Sequence, residues 1–292
     1  MTNEEHNCGN HGGHGNMDPE QQKAMMQQNI NITKNMANIK YKIAVMSGKG
    51  GVGKSTVAVN LAAAFNTQGL KTGIFDVDIH GPNIPKMLGV EDQKLDVIDH
   101  KLKPVTTENG LQVASMAFLL QSNGSPIIWR GPQKTGAIKE LMAEVAWDNL
   151  DVLIIDHPPG TGDEPLTVLQ SIPDLDAVVM VTTPNSVSHE DVIKCVAMTK
   201  MLKVENIGLV ENMSYFVCPD CNKKSYIFGE SSGKTFAKDM DVKFLGSLPL
   251  VPEVSTSANE DIPIVEKDKD SIVSKEFMNI TKEIENLFFD KE

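Results

Sequence analysis

Short apolar stretches recur along most of the chain and predict the strands of a buried sheet. They are rich in Val, Ile and Leu, and their apolar residues are nearly continuous rather than alternating with polar ones. This pattern is typical of strands that are buried on both faces of a parallel sheet. The predicted strands cover residues 42–47, 72–77, 112–116, 152–156, 177–182, 206–212 and 243–247.

Longer segments between these strands have the spacing of helices. The alternation of strands with helices indicates an α/β fold with a doubly wound, mainly parallel sheet flanked by helices. Ligand groups in such a fold lie at the carboxyl ends of the strands, and the polar motifs of this chain follow its predicted strands. The predicted helices cover residues 54–68, 134–146, 190–202, 233–239 and 271–289.

The first 38 residues differ from the rest because they are rich in Asn, Gln, Gly and His and nearly free of aromatic residues. We predict that residues 1–38 are a disordered tail with a short helix over residues 19–28, and that residues 39–292 form a single domain. The tail holds Cys8 among three histidines, which could form a weak metal site; composition favours a solvated polar tail instead. The histidines are His6, His11 and His14.

A glycine-rich loop separates the first predicted strand from the first predicted helix. It reads G-x-x-x-x-G-K-S, and its backbone N–H groups and the start of the helix are predicted to bind phosphate. Lys54 is expected to reach the β- and γ-phosphates of a nucleoside triphosphate, and Ser55 to offer a hydroxyl to Mg²⁺. The nucleotide-binding residues predicted from the loop are Gly48, Gly50, Gly51, Val52, Gly53, Lys54 and Ser55.

A second lysine, Lys49, follows the first glycine of the loop. It cannot easily reach its own nucleotide's transferred phosphate together with Lys54, but it can reach a partner's. The pattern resembles the deviant-Walker NTPases, which include the nitrogenase iron protein, MinD and ParA. In that group two subunits enclose two nucleotides, so the resemblance implies a catalytic cation supplied across a dimer. The alternative is a solvated loop lysine.

Three aspartates lie at or just after the ends of predicted strands. Asp76 and Asp78 are two residues apart, so both can point toward Mg²⁺ and the attacking water. Asp156 ends an apolar strand, which is the arrangement that delivers a carboxylate to the magnesium shell. Residues 158–162, Pro-Pro-Gly-Thr-Gly, cannot continue a strand and suit a segment that changes when the γ-phosphate leaves. Asp76 and Asp163 have a simpler alternative as turn or cap residues.

Composition narrows the function further. The net charge of −12 argues against a general affinity for nucleic acid or anionic membrane, since both reward clustered Lys and Arg. No apolar run approaches the roughly 20 residues that cross a bilayer, and no secretion signal is visible at the N-terminus. We therefore expect a cytoplasmic protein. Its four cysteines are then better explained as metal ligands or packing residues than as disulfides.

Two of these cysteines, Cys218 and Cys221, have the C-x-x-C spacing that brings two thiolates to one metal. Cys195 lies within a predicted helix, where packing in the core is the favoured interpretation. A tetrathiolate site needs four ligands, so one chain supplies half of it and a symmetric dimer would supply the other half. The interpretation of Lys49 as a cation that reaches a partner's nucleotide requires the same dimer.

Taken as a set, these motifs resemble the Mrp (ApbC-like) family of iron–sulfur cluster carrier ATPases over roughly residues 40–290. The resemblance implies a homodimer that holds a 4Fe–4S cluster between Cys218 and Cys221 of both subunits and transfers it to apo-proteins. It also implies slow ATP hydrolysis coupled to loading or transfer. The motifs that carry it are residues 48–56, 76–83, 129–132, 157–163 and 212–221.

The resemblance also assigns individual residues. Asp78 matches a residue placed near the attacking water, and Asn212 matches an asparagine that contacts adenine. Two departures matter: Ser255 stands where the family often has an arginine, and Cys8 alone in the tail does not support a second, N-terminal cluster. The residues matched to phosphate and Mg²⁺ are Lys49, Gly51, Gly53, Lys54, Ser55 and Thr56.

Two alternatives stay open. One is a partitioning or switch ATPase of the MinD or ParA class; MinD ends in a basic amphipathic helix, whereas the last predicted helix here is mostly acidic and suits docking on its own domain. The other is a structural zinc site at the dimer interface with the same four thiolates. Sequence does not separate zinc from iron–sulfur.

Overall fold

The computed structural model describes residues 18–98, 101–120, 131–221 and 223–289. Within these ranges the centre is an eight-stranded sheet, in the order β12-β9-β8-β1-β7-β2-β6-β5. All neighbouring strands are parallel except β5 and β6, which confirms the predicted α/β fold with a mainly parallel sheet. The strands are β1 (Tyr41–Ser47), β2 (Thr72–Asp76), β3 (Asp96–Ile98), β4 (Lys101–Lys103), β5 (Val105–Thr106), β6 (Gln112–Ser115), β7 (Val152–Asp156), β8 (Ala177–Thr182), β9 (Ile207–Glu211), β10 (Phe216–Val217), β11 (Lys224–Ser225) and β12 (Lys243–Ser247).

Helices cover both faces of this sheet. Alternate residues of β1 show why: Ile43 and Val45 belong to one core cluster with α2 and α11, whereas Ala44 and Met46 belong to another with α7. The central strands are buried along their whole length, as their continuous apolar sequences predict. The helices are α1 (Pro19–Met36), α2 (Lys54–Thr67), α3 (Ile84–Met87), α4 (Met116–Leu120), α5 (Gly131–Glu144), α6 (Asp163–Ser171), α7 (Ser186–Met201), α8 (Gly233–Asp239), α9 (Pro252–Asn259), α10 (Ile264–Lys267) and α11 (Ile272–Phe288).

The register of the strands brings the predicted polar residues to one edge. Asp156 at the end of β7 pairs with Asp76 at the end of β2 and with Val45 of β1. On the other side of β1, Glu211 at the end of β9 pairs with Thr182 at the end of β8. Because these strands are parallel, their carboxyl ends meet at a single edge of the sheet.

The N-terminal segment differs from its prediction. The helix expected over residues 19–28 extends to Met36, so residues 29–36 are helical rather than disordered. The physical reason is packing: Ile32 and Met36 are buried, and the side-chain amide of Asn35 donates to the carbonyl of Met142 over 2.9 Å on α5. Residues 1–17, with Cys8 and the three tail histidines, lie outside the described residues.

Several shorter elements were not predicted, including the hairpins β3–β4 and β10–β11 and the helices α3, α4, α6, α9 and α10. The predicted helix over residues 190–202 begins earlier, at Ser186, because the side chain of Asn185 caps it. The first two residues of the predicted 129–132 motif lie outside the described residues.

The C-terminal helix α11 packs on its own domain, as its acidic character predicted. Val273, Phe277, Ile280 and Ile284 are buried in the core cluster that contains α2. No helix among the described residues is long and apolar enough to cross a membrane.

Candidate functional site

The glycine-rich loop joins β1 to α2 and turns tightly at two glycines. Gly51 and Gly53 have φ values of 82° and 83°, in the left-handed region that favours glycine. A Cβ added at Gly53 would also meet Nδ2 of Asn212, whose side chain would have to move away from the loop. Helix α2 begins at the next residue, Lys54, so its unpaired N–H groups and positive end face the loop. This is the local structure that phosphate binding requires.

Lys54, Ser55 and Asp156 are in direct contact. The ammonium group of Lys54 lies 2.6 Å from Oδ1 of Asp156 and 3.7 Å from Oδ2 of Asp78. The hydroxyl of Ser55 donates to Oδ2 of Asp156 over 2.6 Å. Strand β7 therefore brings the carboxylate of Asp156 to the first turn of α2.

Asp76 is positioned differently from the other two aspartates. Its carboxylate is fully buried and accepts hydrogen bonds from the Ser115 hydroxyl, over 2.9 Å, and from the backbone N–H of Asp78, over 3.2 Å. Burial, together with the nearby charge of Asp156, raises the pKa of Asp76 well above its ordinary value. Burial also raises the pKa of Asp156, against the opposing effect of Lys54. Asp76 thus anchors the segment that carries Asp78.

The segment after β7 lies against the phosphate loop. The backbone N–H of Gly160 donates to the carbonyl of Ser47 over 2.8 Å, and the thiol of Cys195 lies 3.6 Å from the carbonyl of Gly160. His157 is fully buried, and burial lowers its pKa to about 4, so its ring is neutral at physiological pH. Asp163, further along, lies in the first turn of α6. Movement of this segment would break or shift the hydrogen bond from Gly160 to Ser47 at the end of β1.

Asn212 lines a cavity of about 260 Å³ beside the phosphate loop. Its side-chain amide donates to the carbonyl of Val52 over 2.9 Å. A base joined to phosphates on the loop would enter this cavity, which Ser255, the residue in place of an arginine, also lines. A larger cleft of about 620 Å³ includes Tyr41, at the amino end of β1, so it is remote from these groups. The 260 Å³ cavity beside the phosphate loop is also lined by Gly53, Thr56, Met213, Val254 and Phe277.

Lys49 is half-buried, and its side chain makes no hydrogen bond or ion pair with the described part of the chain. Its backbone carbonyl accepts a hydrogen bond from the Ser47 hydroxyl over 2.9 Å, which fixes the loop around it. The side chain is thus not committed to the nucleotide site of its own subunit. The prediction that it acts across a dimer stays a prediction.

Cys218 and Cys221 lie in the turn of the β10–β11 hairpin, where Cys218 is half-buried and Cys221 is exposed. The turn is closed by a hydrogen bond from the N–H of Cys218 to the carbonyl of Lys223, over 3.1 Å. Hydrogen bonds from the backbone N–H groups of Cys221 and Asp220, and from the Cys221 thiol, lower the pKa of Cys218. The thiolate, which is the metal-binding form, is therefore favoured.

The other cysteine of the body is a packing residue. Cys195 is fully buried, and burial raises the pKa of its thiol to about 11. Within the described ranges, no group of three or more His, Cys, Asp or Glu side chains is arranged to hold a metal ion. Among the described residues, Cys218 and Cys221 are thus not accompanied by a third potential metal ligand.

Two groups of polar residues were not predicted. Glu211, at the end of β9, is fully buried and accepts hydrogen bonds from Ser214, Ser231, Ser232 and Gly233. An apolar strand that ends in a carboxylate is the signal that identified Asp156, and it could have identified Glu211. In the second group Lys134 lies 2.8 Å from His80 and 3.7 Å from Glu164, contacts over long sequence separations that no local pattern signals.

Comparison with known proteins gives one consistent result. Residues 38–285 match the sequence model of the ParA family, described as NUBPL iron-transfer P-loop NTPases. The chain is 50% identical over 266 residues to an iron–sulfur cluster carrier protein of Methanocaldococcus jannaschii, which covers 91% of each chain. A nucleotide-binding protein of Archaeoglobus fulgidus, solved with ADP and cobalt, is similar with a TM-score of 0.71 and 39% identity over 80% of this chain and 91% of its own. The structure of the cell division ATPase MinD of Pyrococcus furiosus is also similar, with a TM-score of 0.62 and 26% identity. The match covers 85% of this chain and 99% of the MinD chain.

Proposed function

The chain belongs to the ParA family of iron-transfer P-loop NTPases, and from this premise we propose that it is an ATP-hydrolysing carrier that binds an iron–sulfur cluster and passes it to apo-proteins. The family resemblance inferred from the motifs is confirmed. The observation that carries the proposal is a pair of accessible thiols, Cys218 and Cys221, on a domain whose sheet edge carries a phosphate loop.

The nucleotide half of the proposal rests on the contacts at the start of α2. Lys54 would exchange its contact with Asp156 for the β- and γ-phosphates of ATP. Ser55 and Asp156 offer a hydroxyl and a carboxylate oxygen 2.6 Å apart, which are the hard ligands that Mg²⁺ prefers. Mg²⁺ bound there would neutralise charge on the phosphates. Asp78, 3.7 Å from Lys54, would orient the attacking water.

The cluster half of the proposal rests on the number of thiolates that one subunit supplies. Cys218 and Cys221 supply two thiolates, and a 4Fe–4S cluster needs four ligands. Two copies related by a two-fold axis would complete the site, with the cluster as cargo between them. Such a cluster, bridging two chains near the surface, is accessible to the thiols of an acceptor. A carrier requires that accessibility.

A second copy is also favoured by the surface beside the cysteines. Tyr226, Ile227 and Phe228 follow the hairpin directly and are 50%, 58% and 44% exposed. Three consecutive large apolar residues on a surface are unusual and mark an interaction site. Because they lie within seven residues of Cys221, any subunit that shared a cluster with that cysteine would pack near them. We infer that this run is covered in the homodimer.

The deciding experiment is anaerobic reconstitution of the full chain with iron and sulfide. We expect a broad visible absorption band, about one 4Fe–4S cluster per dimer, and activation of an apo-protein such as aconitase. Zinc bound with the same stoichiometry, without sulfide or transfer, would favour a structural dimer site. ATP turnover without any metal at Cys218 and Cys221 would favour a switch ATPase.

A further inference from the structure

A single carboxylate holds both ends of the segment that carries the cysteines. This segment, residues 214–233, leaves the sheet after β9 and returns at the start of α8. Oε1 of Glu211 accepts hydrogen bonds from the hydroxyls of Ser214 and Ser231, each over 2.6 Å. Oε2 accepts from the backbone N–H of Ser232 over 3.1 Å and of Gly233 over 2.6 Å. The beginning and the end of the segment are therefore tied to the same side chain.

The burial of Glu211 shows that this arrangement is specific. The side chain is fully buried, and no lysine or arginine of the described residues forms an ion pair with it. A buried carboxyl group without an ion-pair partner is costly unless its oxygens accept hydrogen bonds. Two hydroxyls and two backbone N–H groups provide them. A carboxylate suits these four partners because both of its oxygens accept hydrogen bonds. In glutamine one of these oxygens is replaced by an NH₂ group, which would face the N–H or O–H donors without accepting from them.

The close approach of α8 to Glu211 depends on Gly233. A Cβ added at this position would lie 2.8 Å from Oε2 and 2.9 Å from Cβ of Glu211. The absence of a side chain lets the backbone N–H of Gly233 reach the carboxylate. The contact thus depends both on the carboxylate of Glu211 and on the absence of a side chain at Gly233.

The same strand end reaches the nucleotide site. The residue after Glu211 is Asn212, whose side chain lines the cavity beside the phosphate loop and donates to the carbonyl of Val52. Its backbone N–H donates to Thr182 over 2.7 Å, so the strand end is fixed within the sheet. A base entering the cavity would lie against the side chain of Asn212, one residue from the anchor of the cysteine segment.

We propose that Glu211 is a positioning residue that holds the cysteine-bearing segment on the strand lining the nucleotide cavity, so that bound nucleotide sets how tightly the cysteines retain their cluster. The proposal rests on the proposed function, since it names a regulation of the same cluster site. Glu211 itself contacts neither cluster nor nucleotide. It acts through the geometry of residues 214–233.

The first test needs no cluster. Hydrogen exchange is measured by mass spectrometry on the apo-protein for wild type, Glu211→Gln and the milder Ser231→Ala, with Ser274→Ala as a control. The hydroxyl of Ser274 is also hydrogen-bonded, but Ser274 is buried on α11, away from the cysteine-bearing segment. We expect faster exchange confined to residues 214–233 in the first two variants. Unchanged exchange there, or an equal increase throughout the chain, would overturn the positioning role.

The second test uses the reconstituted protein. The half-life of the cluster in the presence of a chelator is measured with and without ATP, and ATP affinity is measured in parallel. In Glu211→Gln we expect the half-life to fall at least about 10-fold, as when a supporting partner of a metal ligand is removed. The ratio of half-lives with and without ATP should move to one, while ATP affinity stays within about 2-fold of wild type. Ser231→Ala should shift both values in the same direction by less.

Two results would overturn the coupling: a wild-type half-life that ATP does not change, or a Glu211→Gln variant that responds to ATP as wild type does. Failure of the wild type to bind a cluster at all would overturn the proposed function instead. The hydrogen-exchange experiment would still decide whether Glu211 orders the cysteine segment. The two failures are therefore distinguishable.

Discussion

The ammonium group of Lys54 lies 2.6 Å from Oδ1 of Asp156, and both side chains are buried. Their charges neutralise each other at the carboxyl end of β7, in the position where a phosphate and its magnesium would be expected. If ATP binds the loop as proposed, its phosphates and the carboxylate of Asp156 would compete for the same lysine. Breaking this ion pair on ATP binding would link occupancy of the loop to the environment of Asp156.

Lys54→Ala should abolish ATP binding and hydrolysis, because the β- and γ-phosphates lose their principal cation. It should also lower the free energy of unfolding of the apo-protein by about 3 kcal/mol, since the charge of Asp156 is left without its partner. Isothermal calorimetry and chemical denaturation measure the two effects. Lys54→Arg is the matched control: it keeps the charge, so most of the stability should be retained while turnover is lost. Hydrolysis at the wild-type rate in Lys54→Ala would contradict the loop assignment.

The stability of the apo-protein should depend on pH through Asp76. Burial and the charge of Asp156 raise its pKa well above the ordinary value of 3.8. Between pH 3.8 and the raised pKa of Asp76, the folded state binds more protons than the unfolded state, so this group's contribution to the unfolding free energy falls as pH rises through that window. Asp76→Asn should flatten the dependence of Tm on pH and raise Tm near neutrality. The exposed Asp148→Asn is the control, and an identical pH profile for wild type and Asp76→Asn would refute the prediction.

Lys49→Ala should retain ATP affinity but lose turnover, by a factor on the order of 10³, the effect of a cation supplied across an interface. The physical reason is that the side chain is not committed to its own nucleotide site and would contact charge that develops in the transition state of a partner. Steady-state hydrolysis and nucleotide binding are measured together. Lys94→Ala, an exposed lysine outside the loop, is the control. Unchanged turnover would return Lys49 to a solvated loop residue.

Much of the fold could be predicted because its central strands are buried on both faces. A strand such as β7 has no polar side to obscure its apolar run, and the parallel register then places Asp76 beside Asp156. The full length of α1 could not be predicted. It depends on Asn35, a polar residue whose amide bonds to a carbonyl 107 positions later in the chain. Composition alone therefore made residues 29–36 resemble the tail before them.

The candidate site divides in the same way. Lys54 and Ser55 are the last two residues of the glycine-rich motif, and Asp156 ends an apolar run, so both sides of their contact could be identified from the sequence. The role of Glu211 does not, because two of its partners, Ser231 and Gly233, come 20 and 22 positions later. The hairpin that presents the cysteines has strands of two residues each, which is too short to show the alternation of apolar and polar residues that identifies a strand.

Ile227→Lys should weaken the cluster-bound dimer, because a charge would replace an apolar side chain in the surface that the second copy is proposed to cover. Analytical ultracentrifugation of reconstituted protein gives the dimer dissociation constant. Ile98→Lys is a matched control, since Ile98 is 51% exposed and Ile227 is 58% exposed, and Ile98 lies on the separate β3–β4 hairpin. We expect at least about a 10-fold loss for Ile227→Lys, equal to about 1.4 kcal/mol, and none for the control. Equal effects of the two changes would argue against an interface at residues 226–228.

Cys218→Ala and Cys221→Ala should each abolish retention of the cluster, because either change leaves the dimer with two thiolates instead of four. Nucleotide binding should persist, since neither thiol lines the cavity beside the phosphate loop. Iron and sulfide content, visible absorption and activation of apo-aconitase are measured on each variant. Cys195→Ala and Cys8→Ala serve as controls: Cys195 is buried with a pKa raised to about 11, and Cys8 lies in the tail. Both controls should keep the cluster. If the double variant Cys218→Ala/Cys221→Ala still binds and transfers a cluster, the carrier function cannot reside in this pair, and a switch ATPase becomes the better account of the chain.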